Sequence, residues 1–170
     1  MIQINIGDHT SPMAGYIAFP NNRREDIRWA RRRAFWIARN KPGANPYFAG
    51  LPGGRTLQQL LDDNTIWINY HATLADWGQT NHAGGKEMAI SVTAFRVSKW
   101  SVLATLIHEL AHVNGVRGAV SPQAAEDALI PCGLGRQSER DTSVDDPATP
   151  FDPGIIGYRV RPTGSEWVYA

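Results

Sequence analysis

His108-Glu109-Leu110-Ala111-His112 sets two imidazoles four residues apart with a carboxylate between them. On a helix, positions four apart share a face, so both rings can grip one ion while Glu109 stands beside the open coordination site. The ligands of such an ion are neutral imidazoles, and the usual ion is Zn²⁺, held at about 2.0–2.1 Å. The glutamate can then take a proton from a water that the ion activates for attack on a carbonyl. That chemistry is peptide-bond hydrolysis. A five-letter pattern with two open positions also arises by chance, so its surroundings matter. Thr105, Leu106 and Ile107 before the motif, and Leu110, Ala111 and Val113 within and after it, are all uncharged. Two histidines and a glutamate on an otherwise apolar core helix leave costly unsatisfied groups unless something binds them.

Such a site needs elements to hold it. Ser98 can cap a helix whose Val102, Leu103, Leu106, Ile107, Leu110 and Ala111 form a broad buried stripe, ending near Gly115. Ser121-Pro122 restarts a helix with Ala125, Ala128 and Leu129 on its apolar side, stopping around Ile130 because Pro131 disfavours helical geometry before it. Upstream, residues 23–39 read as an amphipathic helix, with Ile27, Ala30, Ala34, Ile37 and Ala38 opposite Arg24, Arg28, Arg31 and Arg32. Pro42, Gly43 and Pro46 break it, and Thr56 caps a short helix carrying Leu57, Leu60 and Leu61. Residues 65–70 and 88–93, rich in β-branched and apolar side chains, predict strands, the second following a turn at Gly84-Gly85; a last strand is expected at 157–160. The polar, acidic, Pro-containing run 135–153 predicts a surface loop.

From about residue 84 to 134, the order of strand, HExxH helix and following helix resembles the zincin metallopeptidases. The resemblance implies an α+β fold, a small mixed or antiparallel sheet packed on the active-site helix with further helices. It also implies an edge strand above that helix, pairing with extended substrate, for which 87–93 is the candidate; an ordinary core strand is the plainer reading of the same residues. The metzincin pattern H-E-x-x-H-x-x-G-x-x-H matches through Gly115, but Gly118 stands where a third ligand is needed. Met1, Met13 and Met88 all precede the motif, so no Met-turn follows it. A carboxylate from a later helix, as in gluzincins, remains, and Glu126 is the expected third ligand ahead of Asp127, Asp152 and His82. An antiparallel return after His112 brings Glu126 near the same height at about 1.5 Å per residue, although first-turn carboxylates are also favoured by the helix dipole. Thermolysin-like enzymes carry an aspartate four residues beyond that ligand, and Ile130 stands there, leaving the outer-shell contact unassigned. The expected oxyanion donor is Tyr158, with His82 and Arg159 as alternatives. A narrower resemblance is to small metallopeptidase toxin domains of type VI secretion and polymorphic-toxin systems. It is carried by Thr-Leu-Ile-His-Glu-Leu-Ala-His-Val-Asn-Gly, the nearby Ala-Glu, and Cys132-Gly133-Leu134. It implies injection by a non-Sec route, a protein or peptide substrate, and a cognate immunity protein.

Composition bounds the alternatives. With 170 residues, 42% hydrophobic and 19% charged, the chain is expected to form one domain over 1–170. A net charge of +1 gives no whole-chain field pointing to nucleic acid or an anionic membrane. The lone Cys132 excludes a disulfide-stapled scaffold and a Cys-rich zinc finger, and more simply packs as a small apolar group. No apolar run approaches the ~20 residues of a membrane span, and no basic start leads into an apolar stretch, so neither a span nor a Sec signal is expected. Residues 21–41 nevertheless hold eight basic residues against two acids. A competing reading makes this helix a nucleic-acid face, its arginines on phosphates and Trp29, Phe35 and Trp36 on bases. The plainer reading, in which arginine stems solubilise the helix and the aromatics fill the core, makes nucleic acid the lesser expectation. A zincin that binds zinc without turnover is the third possibility. His9 and His71 have no spacing relation to the metal pair and receive no role.

Overall fold

A computed structural model of the chain describes residues 1–118 and 122–135. The elements run β1 (Gln3–Ile4), α1 (Arg24–Asn40), α2 (Ala44–Ala49), α3 (Leu57–Asp62), β2 (Trp67–His71), β3 (Gly78–Thr80), β4 (Glu87–Ser91), α4 (Val92–Val97), α5 (Lys99–Val113) and α6 (Pro122–Asp127). The architecture is mixed α+β, with a four-stranded sheet ordered β1-β2-β4-β3. β1, β2 and β4 are mutually parallel, and β3 runs antiparallel to β4.

The centre of the fold is α5. Ser98 caps it by accepting a hydrogen bond from the Ser101 N–H, and every residue from Trp100 to Val113 is buried except His108 and His112. A helix apolar all round must be wrapped by neighbours, and α5 packs against α1, α4, α6, β3 and β4. Its end is set by Gly115, whose φ of +90° is left-handed. There the Gly115 N–H bonds the His112 carbonyl and the Val116 N–H bonds that of Ala111, the paired bonds of a Schellman turn. On its outer side α1 buries Ile27, Ala30, Ala34, Ile37 and Ala38, close to the expected 23–39. Thr56 caps α3 in a reciprocal box with Gln59.

The sheet departs from expectation in an instructive way. The run 88–93 is not one strand. The Ser91 hydroxyl accepts from the Thr93 N–H, capping a helix that begins at Val92 despite the β-branched Val-Thr pair. Nor is 87–93 an edge: β4 lies between β2 and β3 and is buried along its length. The edge on that side is β3, three residues long and too short to leave a period-two signature. The helix α2 forms where Pro42, Gly43 and Pro46 suggested a break, because Pro46 falls in its first turn, where no N–H is required. The helix expected from Ser121 is present as α6, with Ser121 itself outside the described residues, as are 136–153 and the strand expected at 157–160. Among the described residues no helix is long and apolar enough to cross a membrane.

Register assigns the two faces. Gly78 and Thr80 pair with Ile90 and Met88, and this face meets α5. The other face carries Asn69, Ala89 and Glu87 beneath the segment holding His9 and Ser11. The end of α5 is pinned by the buried Asn114. Its Nδ2 donates to the carbonyls of Phe48 at 2.7 Å and Arg55 at 2.8 Å, and its own carbonyl accepts from the Gly53 N–H at 2.7 Å. Asn114→Ala strips the buried Phe48 carbonyl and the half-buried Arg55 carbonyl of their donor and is expected to cost about 2–4 kcal/mol. The measurement is a lower urea midpoint at unchanged slope.

Candidate metal centre

His108 and His112 stand one turn apart on α5 with their Nε2 atoms 3.1 Å from each other and ring planes at 69°. Two nitrogens on one tetrahedral ion at about 2.0–2.1 Å lie about 3.3 Å apart, so the pair is spaced to share a cation. The Schellman turn supplies the orientation. It returns the Val116 carbonyl to within 2.9 Å of His112 Nδ1. A carbonyl only accepts, so Nδ1 carries the hydrogen and Nε2 of the neutral ring presents its lone pair. Burial keeps both rings neutral. Desolvation, with His112 adding to it, pulls His108 down to about 3, and desolvation lowers His112 against the opposing bond to Val116. Neutral rings whose Nε2 atoms face one another are what a zinc ion requires of its histidines.

Glu109 points from the same helix into the edge strand. Its Oε2 accepts from the Thr80 hydroxyl at 2.7 Å. Gly78 passes so near that a Cβ there would lie 2.7 Å from Glu109 Oε1 and 2.6 Å from Thr105 Cγ2. Desolvation pushes the Glu109 carboxyl up to about 8; the Thr80 bond opposes this and Asp76 reinforces it.

Of the expected ligands, the structure brings His108 and His112 together but puts Glu126 on a different edge of the site. The Glu126 Oε1 lies 3.4 Å from Nδ1 of His108, the nitrogen that does not face His112. That is where an orienting carboxylate stands behind a metal-bound histidine. Among the described residues, no three His, Cys, Asp or Glu side chains are grouped so that they could hold an ion. Asp127 is the next residue on α6, and His82 lies in the turn joining β3 to β4. Asp152, Tyr158 and Arg159 fall outside the described residues. A Cβ at Gly118 would stand 3.8 Å from His112 Cε1, so the position of the missing metzincin ligand does face the pair but carries no side chain.

Three further groups stand at the site: Thr80, Gly78 and Tyr16. The Tyr16 hydroxyl donates to the Gln79 carbonyl at 3.0 Å, and burial, then the nearby Glu109 and Glu87 charges, raise its pKa, so it stays a protonated donor. None of the three carries a local pattern. Cys132 packs in the core, its thiol pushed up to about 12 by burial. His9 stacks on Trp67 and bonds Glu87, and His71 accepts from the Leu74 N–H. Along α1, Arg24 and Arg31 donate to main-chain carbonyls, Arg32 pairs with Glu25, and Arg33 stacks on Trp36. Trp29 packs edge-on against Trp100. Much of the basic helix is thus engaged within the protein.

The chain matches no protein-family model, no curated protein and no solved structure.

The shifts at the site have opposite signs in stability. Folded Glu109 keeps its proton up to about 8 but the unfolded group only to 4.5, so rising pH across that window destabilises the metal-free protein. Unfolded histidine binds a proton below 6.5, whereas folded His108 resists to about 3, so falling pH destabilises it, and His112 acts in the same sense. The Tm of zinc-free protein is therefore expected to peak near pH 6.5. Glu109→Gln should remove the decline on the alkaline side, at most about 2 kcal/mol by pH 8. An unchanged decline in that variant would assign it to another group.

Proposed function

We propose that the chain is a zinc-dependent peptidase of the zincin kind, with His108 and His112 as ligands and Glu109 as general base. The carrying observation is the convergence of two neutral imidazole Nε2 atoms, 3.1 Å apart, beside a buried carboxylate. Zinc bound there would polarise a carbonyl and acidify water as a Lewis acid. The protein does the rest. The Val116 carbonyl fixes the tautomer of His112, and Glu126, expected as a third ligand, serves His108 from its Nδ1 side. With Oε2 engaged by Thr80, Oε1 of Glu109 is the oxygen that takes a proton from the attacking water and returns it to the leaving amine. Burial of that carboxylate raises its basicity, so it accepts a proton readily near neutral pH.

The substrate is an extended peptide. Trp77 and Asn81 direct their backbone bonds inward, to Ser91 and Glu87. Alternation along an antiparallel strand then turns the backbone N–H and C=O of Gly78 and Thr80 to the outer edge. A peptide adding itself as a further strand meets those groups beside Glu109.

The test is zinc titration of the purified chain together with cleavage of an unfolded protein. His108→Ala and His112→Ala should abolish stoichiometric zinc binding and cleavage together. Glu109→Gln should retain zinc while kcat/KM drops about 10²–10⁴-fold. A chain that takes up zinc in full and cleaves no unfolded protein would overturn the assignment.

A further inference from the structure

The edge strand does more than border the site. A glutamate on a helix has three rotatable side-chain bonds, and a base that wanders loses the alignment on which proton transfer depends. At Glu109 one carboxylate oxygen is 2.7 Å from the Thr80 hydroxyl, which also lies 3.3 Å from the Glu109 main-chain carbonyl. The single hydroxyl hydrogen goes to the nearer oxygen. The other oxygen occupies the space left by the absent side chain of Gly78, where a Cβ would come within 2.7 Å of it.

Resting on the peptidase reading, we propose that Thr80 and Gly78 are positioning residues that together fix the rotamer of the general base from β3. The same two residues turn their backbone polar groups to the outer edge. Peptide seated on β3 is thereby registered against the carboxylate that must act on it, with no separate element needed to align the two. The strand is itself held on three sides. It pairs with β4 through Gly78, Gln79 and Thr80, the Tyr16 hydroxyl donates to Gln79, and the Gly84 N–H in the turn after it bonds the His112 carbonyl.

Thr80→Val keeps shape and removes the donor; Thr80→Ser keeps the donor. In zinc-loaded protein, Thr80→Val should lower kcat about 10- to 100-fold with KM and zinc affinity within about twofold, and Thr80→Ser should restore most of the loss. Thr80→Ala replaces the valine variant should that fail to fold. Gly78→Ala should lower kcat in the same way, with zinc still bound. A second readout needs neither zinc nor turnover: the infrared carboxyl band of Glu109, identified by its absence in Glu109→Gln, should shift in Thr80→Val and return in Thr80→Ser at one fixed pH. An unshifted band, or equal losses in the valine and serine variants, overturns the role of Thr80; full kcat in Gly78→Ala overturns that of Gly78. If zinc-loaded wild type cleaves nothing, the peptidase reading fails, and the infrared band alone decides whether Thr80 holds Glu109.

Discussion

Two imidazole nitrogens 3.1 Å apart at the end of a buried helix impose the constraint around which the rest of the site is arranged. The Val116 carbonyl forces a hydrogen onto His112 Nδ1, so Nε2 of that ring is a lone pair. The Nε2 of His108 can meet it with a hydrogen or across a cation. With a hydrogen there, neutral His108 has a lone pair at Nδ1, facing the Glu126 carboxylate at 3.4 Å, acceptor against acceptor. Across a cation, Nδ1 carries the hydrogen on the side of the carboxylate, a contact that stops short of a formed hydrogen bond in this structure. The Val116 carbonyl behind His112 and the Glu126 carboxylate beside His108 are the groups that would stand behind the ligands of the proposed metal site.

Placing three ionisable side chains on so buried a helix is expensive, and the fold answers each of them separately. His112 is answered by the Gly115 turn, Glu109 by Thr80 on the edge strand, and His108 by Glu126 on the following helix. The first depends on glycine in a literal way. A side chain at position 115 would meet both the left-handed φ and the main chain of Gly53, 3.1 Å away. Asn114 then ties that turn to the loop between α2 and α3, so the segment that orients His112 is joined to the core on both sides.

What the sequence made legible was local chemistry. The HExxH spacing, the Ser98 and Thr56 caps, the Gly115 stop and the apolar stripe of α1 are each decided within about two turns of chain, and each appears in the structure. The sheet was less legible because pairing is a long-range choice. Nothing within residues 87–93 says whether a neighbour will lie on one side or both, and a three-residue β3 carries no periodicity to read. At Ser91 a side-chain cap overrode β propensity, ending the strand two residues early. For Glu126, helix length gave the height of the carboxylate beside the histidines. It could not say which nitrogen of His108 the carboxylate would face, since that depends on rotation about the axis of α6.

The far face of the sheet acts on the face that meets α5 through β3. Glu87 is buried and accepts from His9, Ser11 and Asn69, and Asn69 in turn accepts from Asn5. Two of these donors, His9 and Ser11, bind the segment between β1 and α1 onto the sheet's outer surface, while Asn69 braces the carboxylate from β2. A few residues later in that segment, Tyr16 reaches the Gln79 carbonyl on β3. Gly15 makes this approach possible: its φ is +82°, and a Cβ there would collide with Nε2 of the His71 ring. A three-residue edge strand has too short a ladder to hold its own place, so its position over Glu109 depends on Tyr16 above and α5 below. The N-terminal segment, distant from the histidines in sequence, is therefore part of what aims their neighbouring carboxylate.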